Sequence, residues 1–70
     1  MKAVSGKDLC KALERKGWSL VRIRSSHHIY TSPDRSRTVS VPVHGNRTLP
    51  TGTQHGIMKD AGLTEADVGT

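Results

Sequence analysis

The chain has 70 residues, a formal net charge of +5, one cysteine, and Trp18 and Tyr30 as its aromatic residues. A chain of this length makes one small domain that buries only about 60% of its unfolded surface. Its lone Cys10 excludes an internal disulfide, no C-x-x-C or H-x-x-x-H spacing offers a metal site, and no apolar run approaches the ~20 residues of a membrane span or the core of a secretory signal.

The expectation is therefore a soluble, cytoplasmic protein without a cofactor, built as a single domain over residues 1–70, with an ordered core from about 4 to 63 and a tail over 64–70. Its positive charge is concentrated in the middle, because between Trp18 and Leu49 the only acid is Asp34, against Arg22, Arg24, Arg35, Arg37 and Arg47. Such a segment binds phosphates or an acidic protein with strong salt dependence, or else serves only to keep the surface solvated.

The first element is a helix from about Gly6 to Lys16. Ser5 and Asp8 have the spacing of a capping box, Val4 can staple onto Leu9, and Leu9, Cys10, Ala12 and Leu13 form one apolar face that Gly17 terminates. Trp18 to Arg24 alternates as a strand, with Ser19, Val21 and Ile23 on one side and Trp18, Leu20, Arg22 and Arg24 on the other. Ser25-Ser26 is a tight turn, His27 to Ser32 a second strand, and Pro33-Asp34-Arg35-Ser36 a turn into a third strand from Arg37 to Val43. His44-Gly45-Asn46-Arg47 is loop. A second helix covers roughly Pro50 to Ala61 and closes at Gly62, with an interior weakened by Gly52 and Gly56. Thr64-Glu65-Ala66-Asp67 caps one further short turn, and Gly69-Thr70 frays.

This order gives an α+β fold, α-β-β-β-α, with two helices on one face of a three-stranded antiparallel sheet and the other face free for a ligand. The arrangement resembles the double-stranded-RNA-binding-domain fold.

The chemistry concentrates in Ser25-Ser26-His27-His28-Ile29-Tyr30. Imidazole moves protons near neutral pH and guanidinium holds phosphate, so histidines flanked by arginines point to chemistry on a nucleic-acid backbone. Alternation puts His27 and His28 on opposite faces, so only one of them serves a given site, and periodicity leaves open which. Arg22 and Arg24 share a face on the strand leading to His27 and are candidates for phosphate contact. His44, at the end of the third strand, and His55, on a polar turn of the second helix, are weaker candidates, because sequence fixes neither one's distance from His27.

In Ser5-Gly6-Lys7 with Leu9 and Leu13, in Gly17-Trp18, in Ser26-His27-His28-Ile29-Tyr30, in Val39-Ser40-Val41-Pro42-Val43-His44, in Leu49-Pro50-Thr51-Gly52-Thr53 and in Ile57-Met58-Lys59-Asp60-Ala61-Gly62-Leu63, the chain resembles the HicA toxins of HicAB toxin–antitoxin systems. These pieces run in the family's order over nearly the whole length. The resemblance implies an endoribonuclease that cleaves mRNA without a metal and is silenced by a HicB-type antitoxin burying its active site. Carried over, it makes His27 the catalytic residue with Ser26 and Tyr30 as motif neighbours, Tyr30 a core residue, and His28 a structural one. Arg22, Arg24, Ser26, Arg47 and Lys59 are the RNA contacts expected on this reading. Two departures stand out: Ser25 occupies the family's glycine position, and Gln54-His55-Gly56 lies where the family helix is more apolar. The rival readings are a non-catalytic RNA-binding module and a HicA-like protein that has lost activity, the second motivated by Ser25.

Overall fold

The computed structural model describes residues 2–69; Thr70, half of the expected fraying end, lies outside the described residues. The first helix, α1 (Gly6–Arg15), begins where Ser5 Oγ accepts the Asp8 N–H at 3.2 Å. It ends in a Schellman motif: the Trp18 N–H donates to the Leu13 carbonyl and the Gly17 N–H to the Glu14 carbonyl, both at 3.0 Å, with Gly17 at φ +90°. Val4 and Leu9 both join the buried cluster, as a hydrophobic staple requires.

Three strands follow, β1 (Ser19–Arg24), β2 (His27–Thr31) and β3 (Thr38–Pro42), in an antiparallel sheet of order β1-β2-β3. Alternation in β3 is clean, with Val39 and Val41 buried and Thr38 and Ser40 exposed. Tyr30, opposite Val39, is only 2% exposed. Against this face pack Leu9 and Leu13 of α1 and Ile57 and Met58 of α2 (Thr51–Ala61). The architecture is the expected α+β one, with helices on one face of an open three-stranded sheet.

The expected face assignment of β1 needs correction. Leu20 pairs with Tyr30, Arg22 pairs with Ile29 and Ile23 pairs with His28, so the register shifts between Leu20 and Arg22. Val21 is the additional residue of a bulge, which resets the alternation. Leu20 and Ile23 therefore share the helix-side face, while Arg22 and Arg24 lie on the other. As the edge strand, β1 leaves Leu20, Val21 and Ile23 largely exposed.

Two tight joints fix the end of the sheet nearest His27. A Cβ added to Gly6 would run into the Pro42 carbonyl oxygen, so α1 abuts β3 at a point where only glycine fits. The fully buried Gln54 of α2 accepts the Val4 N–H at 3.1 Å and donates Nε2 to the Lys2 carbonyl at 2.6 Å, tying the chain's start to the second helix. Beyond Gly62 a third helix, α3 (Glu65–Gly69), is capped by the expected Thr64–Asp67 pair; it adds Val68 to the core and meets α1 where Arg15 donates to the Asp67 carbonyl at 2.7 Å.

Candidate active site on the open sheet face

The face turned away from the helices is read from the pairing as three rows. Arg24, His27 and Pro42 form the first, Arg22, Ile29 and Ser40 the second, and Ser19, Thr31 and Thr38 the third. Directly opposite residues have Cβ atoms about 4.5–5.5 Å apart. The strands therefore bring Arg22, Arg24 and His27 together, all three exposed, around a half-buried Ile29. No carboxylate stands in these rows, so the face offers a continuous positive potential.

His27 is placed by the two-residue loop between β1 and β2. Ser25 there adopts φ +57°, a conformation that glycine takes without steric cost and other residues only at a penalty. Ser26 is partly buried, and its carbonyl accepts the Val43 N–H at 2.7 Å, which holds the loop against the strand leaving the sheet. Arg47 is exposed and lines a recess with Pro42, the residue opposite His27, so it stands at the same end of the molecule. Lys59 is not brought to this face. It lies in the last turn of α2, in the helix layer beside His55 and Met58.

His28 and Tyr30 point the other way. They line a groove under α1 with Cys10, Glu14 and Leu20. Tyr30 Oη donates to Glu14 Oε2 at 2.6 Å, and burial, reinforced by the bonds to Glu14 and Cys10, holds the phenol well above its ordinary range. Burial likewise pushes the Cys10 thiol up. Both groups stay neutral near pH 7 and neither reaches the open face. His28 Nδ1 is sealed without a hydrogen-bond partner, at a cost in desolvation, in a ring that lies opposite Ile23 and Val41 in the pairing. Among the described residues no group of three or more His, Cys, Asp or Glu is arranged to hold a metal ion, and no helix is long and apolar enough to cross a membrane.

Sequence reasoning missed Gln54, whose burial no local pattern signals, and the pairing of His27 with Pro42, which places His44 two residues from the partner of His27. No curated protein matches the chain. Among protein-family models, that of the HicA toxin of bacterial toxin–antitoxin systems matches residues 6–63, from the first residue of α1 to the residue after the turn that closes α2. This match takes in both helices that cover the sheet, all three strands, and the open face that carries His27, and with it the chain belongs to the HicA toxin family.

Proposed function

We propose that this toxin is a metal-independent endoribonuclease that cuts mRNA on the open face of its sheet, with His27 as a general acid or base. It acts in the cytoplasm and is silenced by a HicB-type antitoxin that covers the same face. The observation that carries this reading is the position of His27, exposed, directly opposite Arg24 and one row from Arg22, on the face that no helix covers.

RNA brings its own nucleophile. The 2′-hydroxyl attacks the adjacent phosphorus once a base takes its proton, and a protonated group completes the departure of the 5′ oxygen. Arg22 and Arg24 supply fixed positive charge where negative charge builds on the phosphate oxygens. Ser26, in the turn just before His27, and Arg47, at the same end of the molecule, add contacts to the RNA backbone, and Lys59 adds attraction on the helix layer. Positioned acid–base catalysis is worth about 10²–10⁴ in rate, enough for a slow nuclease on a substrate that carries its own nucleophile.

The test is RNA integrity and growth after induction of the wild type, His27→Ala and His28→Ala in cells without an antitoxin, with folding verified for each. Cleavage and arrest lost with His27→Ala but retained with His28→Ala is the expected result. Intact RNA with the wild type would overturn the reading in favour of an RNA-binding module or a HicA protein that has lost activity. The strained Ser25 favours a second reading, a HicA protein with attenuated activity, in which Ser25→Gly raises the cleavage rate.

A further inference from the structure

The geometry points to His44 as the second proton carrier of this site, an inference that rests on the endoribonuclease reading above. Transfer to the 2′-oxygen forms one P–O bond and breaks the bond to the 5′ oxygen, leaving a 2′,3′-cyclic phosphate and a free 5′-hydroxyl. One proton leaves the 2′-hydroxyl and one arrives on the 5′ oxygen, so the reaction is balanced with a neutral and a protonated imidazole and no further reactant. His27 accounts for one of these transfers. Tyr30 cannot take the other, since its hydroxyl is bonded to Glu14 on the far side of the sheet.

The strand register supplies the candidate. His27 pairs with Pro42, and the Val43 N–H donates to the Ser26 carbonyl at 2.7 Å, so antiparallel pairing runs one residue beyond β3. Val43 turns toward the core, where it shares the groove of Cys10 and Tyr30. Pro42 and His44 line a different recess, of about 280 Å³, at the end of β3, together with Arg47 and with Pro50 and Thr53 at the start of α2. Alternation thus returns His44, which is exposed, to the side occupied by His27. Regular pairing continued two residues past Pro42 would make it the diagonal neighbour of His27, a relation that in sheets spans a Cα separation of about 7–8 Å. Two imidazoles at that spacing bracket a phosphate and can serve the entering and leaving oxygens of an in-line displacement.

Arg24 and His27 stand in the row that begins at Pro42, and no carboxylate lines the recess. Arg47 shares the recess with His44 and is the cation nearest at hand for a phosphate next to the cut. The two histidines are 17 positions apart in the sequence (44 − 27), a spacing without meaning until the strands pair.

The experiment is single-turnover cleavage of an RNA oligonucleotide with a mapped cut position, by the wild type, His27→Ala, His44→Ala and His55→Ala, between about pH 5 and pH 9. His44→Ala is expected to lower the rate about 100-fold or more, to keep its circular dichroism spectrum and RNA affinity, and to lose one limb of a bell-shaped pH profile. His55→Ala, on the far layer, serves as the unaffected control.

The same oligonucleotide with sulfur in place of the leaving 5′ oxygen separates the roles, since a thiolate departs without a proton. The histidine that acts as acid regains wild-type speed on that substrate and the other does not. A His44→Ala rate within about tenfold of wild type, a loss explained by RNA affinity alone, or rescue of neither variant would overturn the inference. If the wild type and His44→Ala cut while His27→Ala does not, only the role of His44 falls. If the wild type leaves the RNA intact, the endoribonuclease reading falls as well.

Discussion

His27 and His28 are the same side chain on consecutive residues of one strand, yet they belong to different parts of the molecule. His28 faces the helices, opposite Ile23 and Val41 in the pairing, with Nδ1 sealed and Tyr30 buried on the same side. His27 faces outward, in a row with Arg24 and Pro42. Strand alternation therefore divides β2 into a side that holds the domain together and a side open to solvent, where the proposed site lies. A small domain gains from this economy, since it has too few residues to separate scaffold from site. It follows that substitutions on the helix side should be read in stability, and those on the open side in activity.

The sharpest form of that comparison is Tyr30→Ala against Ile29→Ala. Tyr30 is among the largest fully buried side chains and bonds Glu14, so its truncation costs about 3–5 kcal/mol, most of the stability expected of a domain this size. Ile29→Ala, on the half-buried open side, costs about 1 kcal/mol or less and acts mainly through RNA affinity. Urea denaturation of both variants checks this. The same tyrosine gives a pH signature. Its phenol is raised above the ordinary 10.0, burial being the largest cause, so its contribution is fully present below about pH 10 and is lost as pH rises beyond it. Tyr30→Phe should lack that alkaline loss.

Gly6→Ala tests whether the two sides are truly separate. The new methyl group would run into the Pro42 carbonyl oxygen, and Pro42 is the residue opposite His27. The joint must open, at about 1–3 kcal/mol, and the end of β3 must move with it. The expected outcome is a lower melting temperature together with slower cleavage per folded molecule, although Gly6 lies in the helix layer. A loss of stability with an unchanged rate would show that the open face tolerates movement of its own strand.

What the sequence disclosed, and what it did not, follows the range of the interactions involved. α1 was legible because its cap, staple and closing glycine are all local, within five residues of the helix ends. The faces of β1 were not, since the bulge at Val21 carries no sequence signature and reverses every later side-chain direction. Gln54 read as a departure from a helix-favouring pattern, whereas it is a buried clamp whose partners lie about 50 residues away in Lys2 and Val4. Of the site, Arg22, Arg24 and His27 were readable as neighbours from one hairpin. Arg47 and His44 reach the same end only through the pairing of β3, and Lys59 remains in the helix layer.

The smallest effect concerns the two hairpin turns, each of which holds a non-glycine residue at positive φ, Ser25 at 57° and Arg35 at 63°. In the second turn the Asp34 carboxylate accepts from Ser32 Oγ at 2.7 Å and from the Ser36 N–H at 3.0 Å, bonds that hold its carboxyl down at about 2. Those bonds are present above the ordinary 3.8 and are lost as pH falls through about 2, so that turn is fastened at any pH where the protein works. Among the described residues no side-chain bond of Ser25 does the same for the first turn, which sets the position of His27. A left-handed serine costs about 1–2 kcal/mol, and glycine recovers this less the ~0.5–1 kcal/mol of its greater chain entropy. Ser25→Gly should therefore stabilise the domain by about 0.5 kcal/mol, or about 2–4 °C in Tm. If the cleavage rate rises with the Tm, the strained turn displaces His27 from its best position and the chain is an attenuated toxin. If the Tm rises alone, the strain stops at the loop, and His27 is held by its pairing with Arg24 and Pro42 instead.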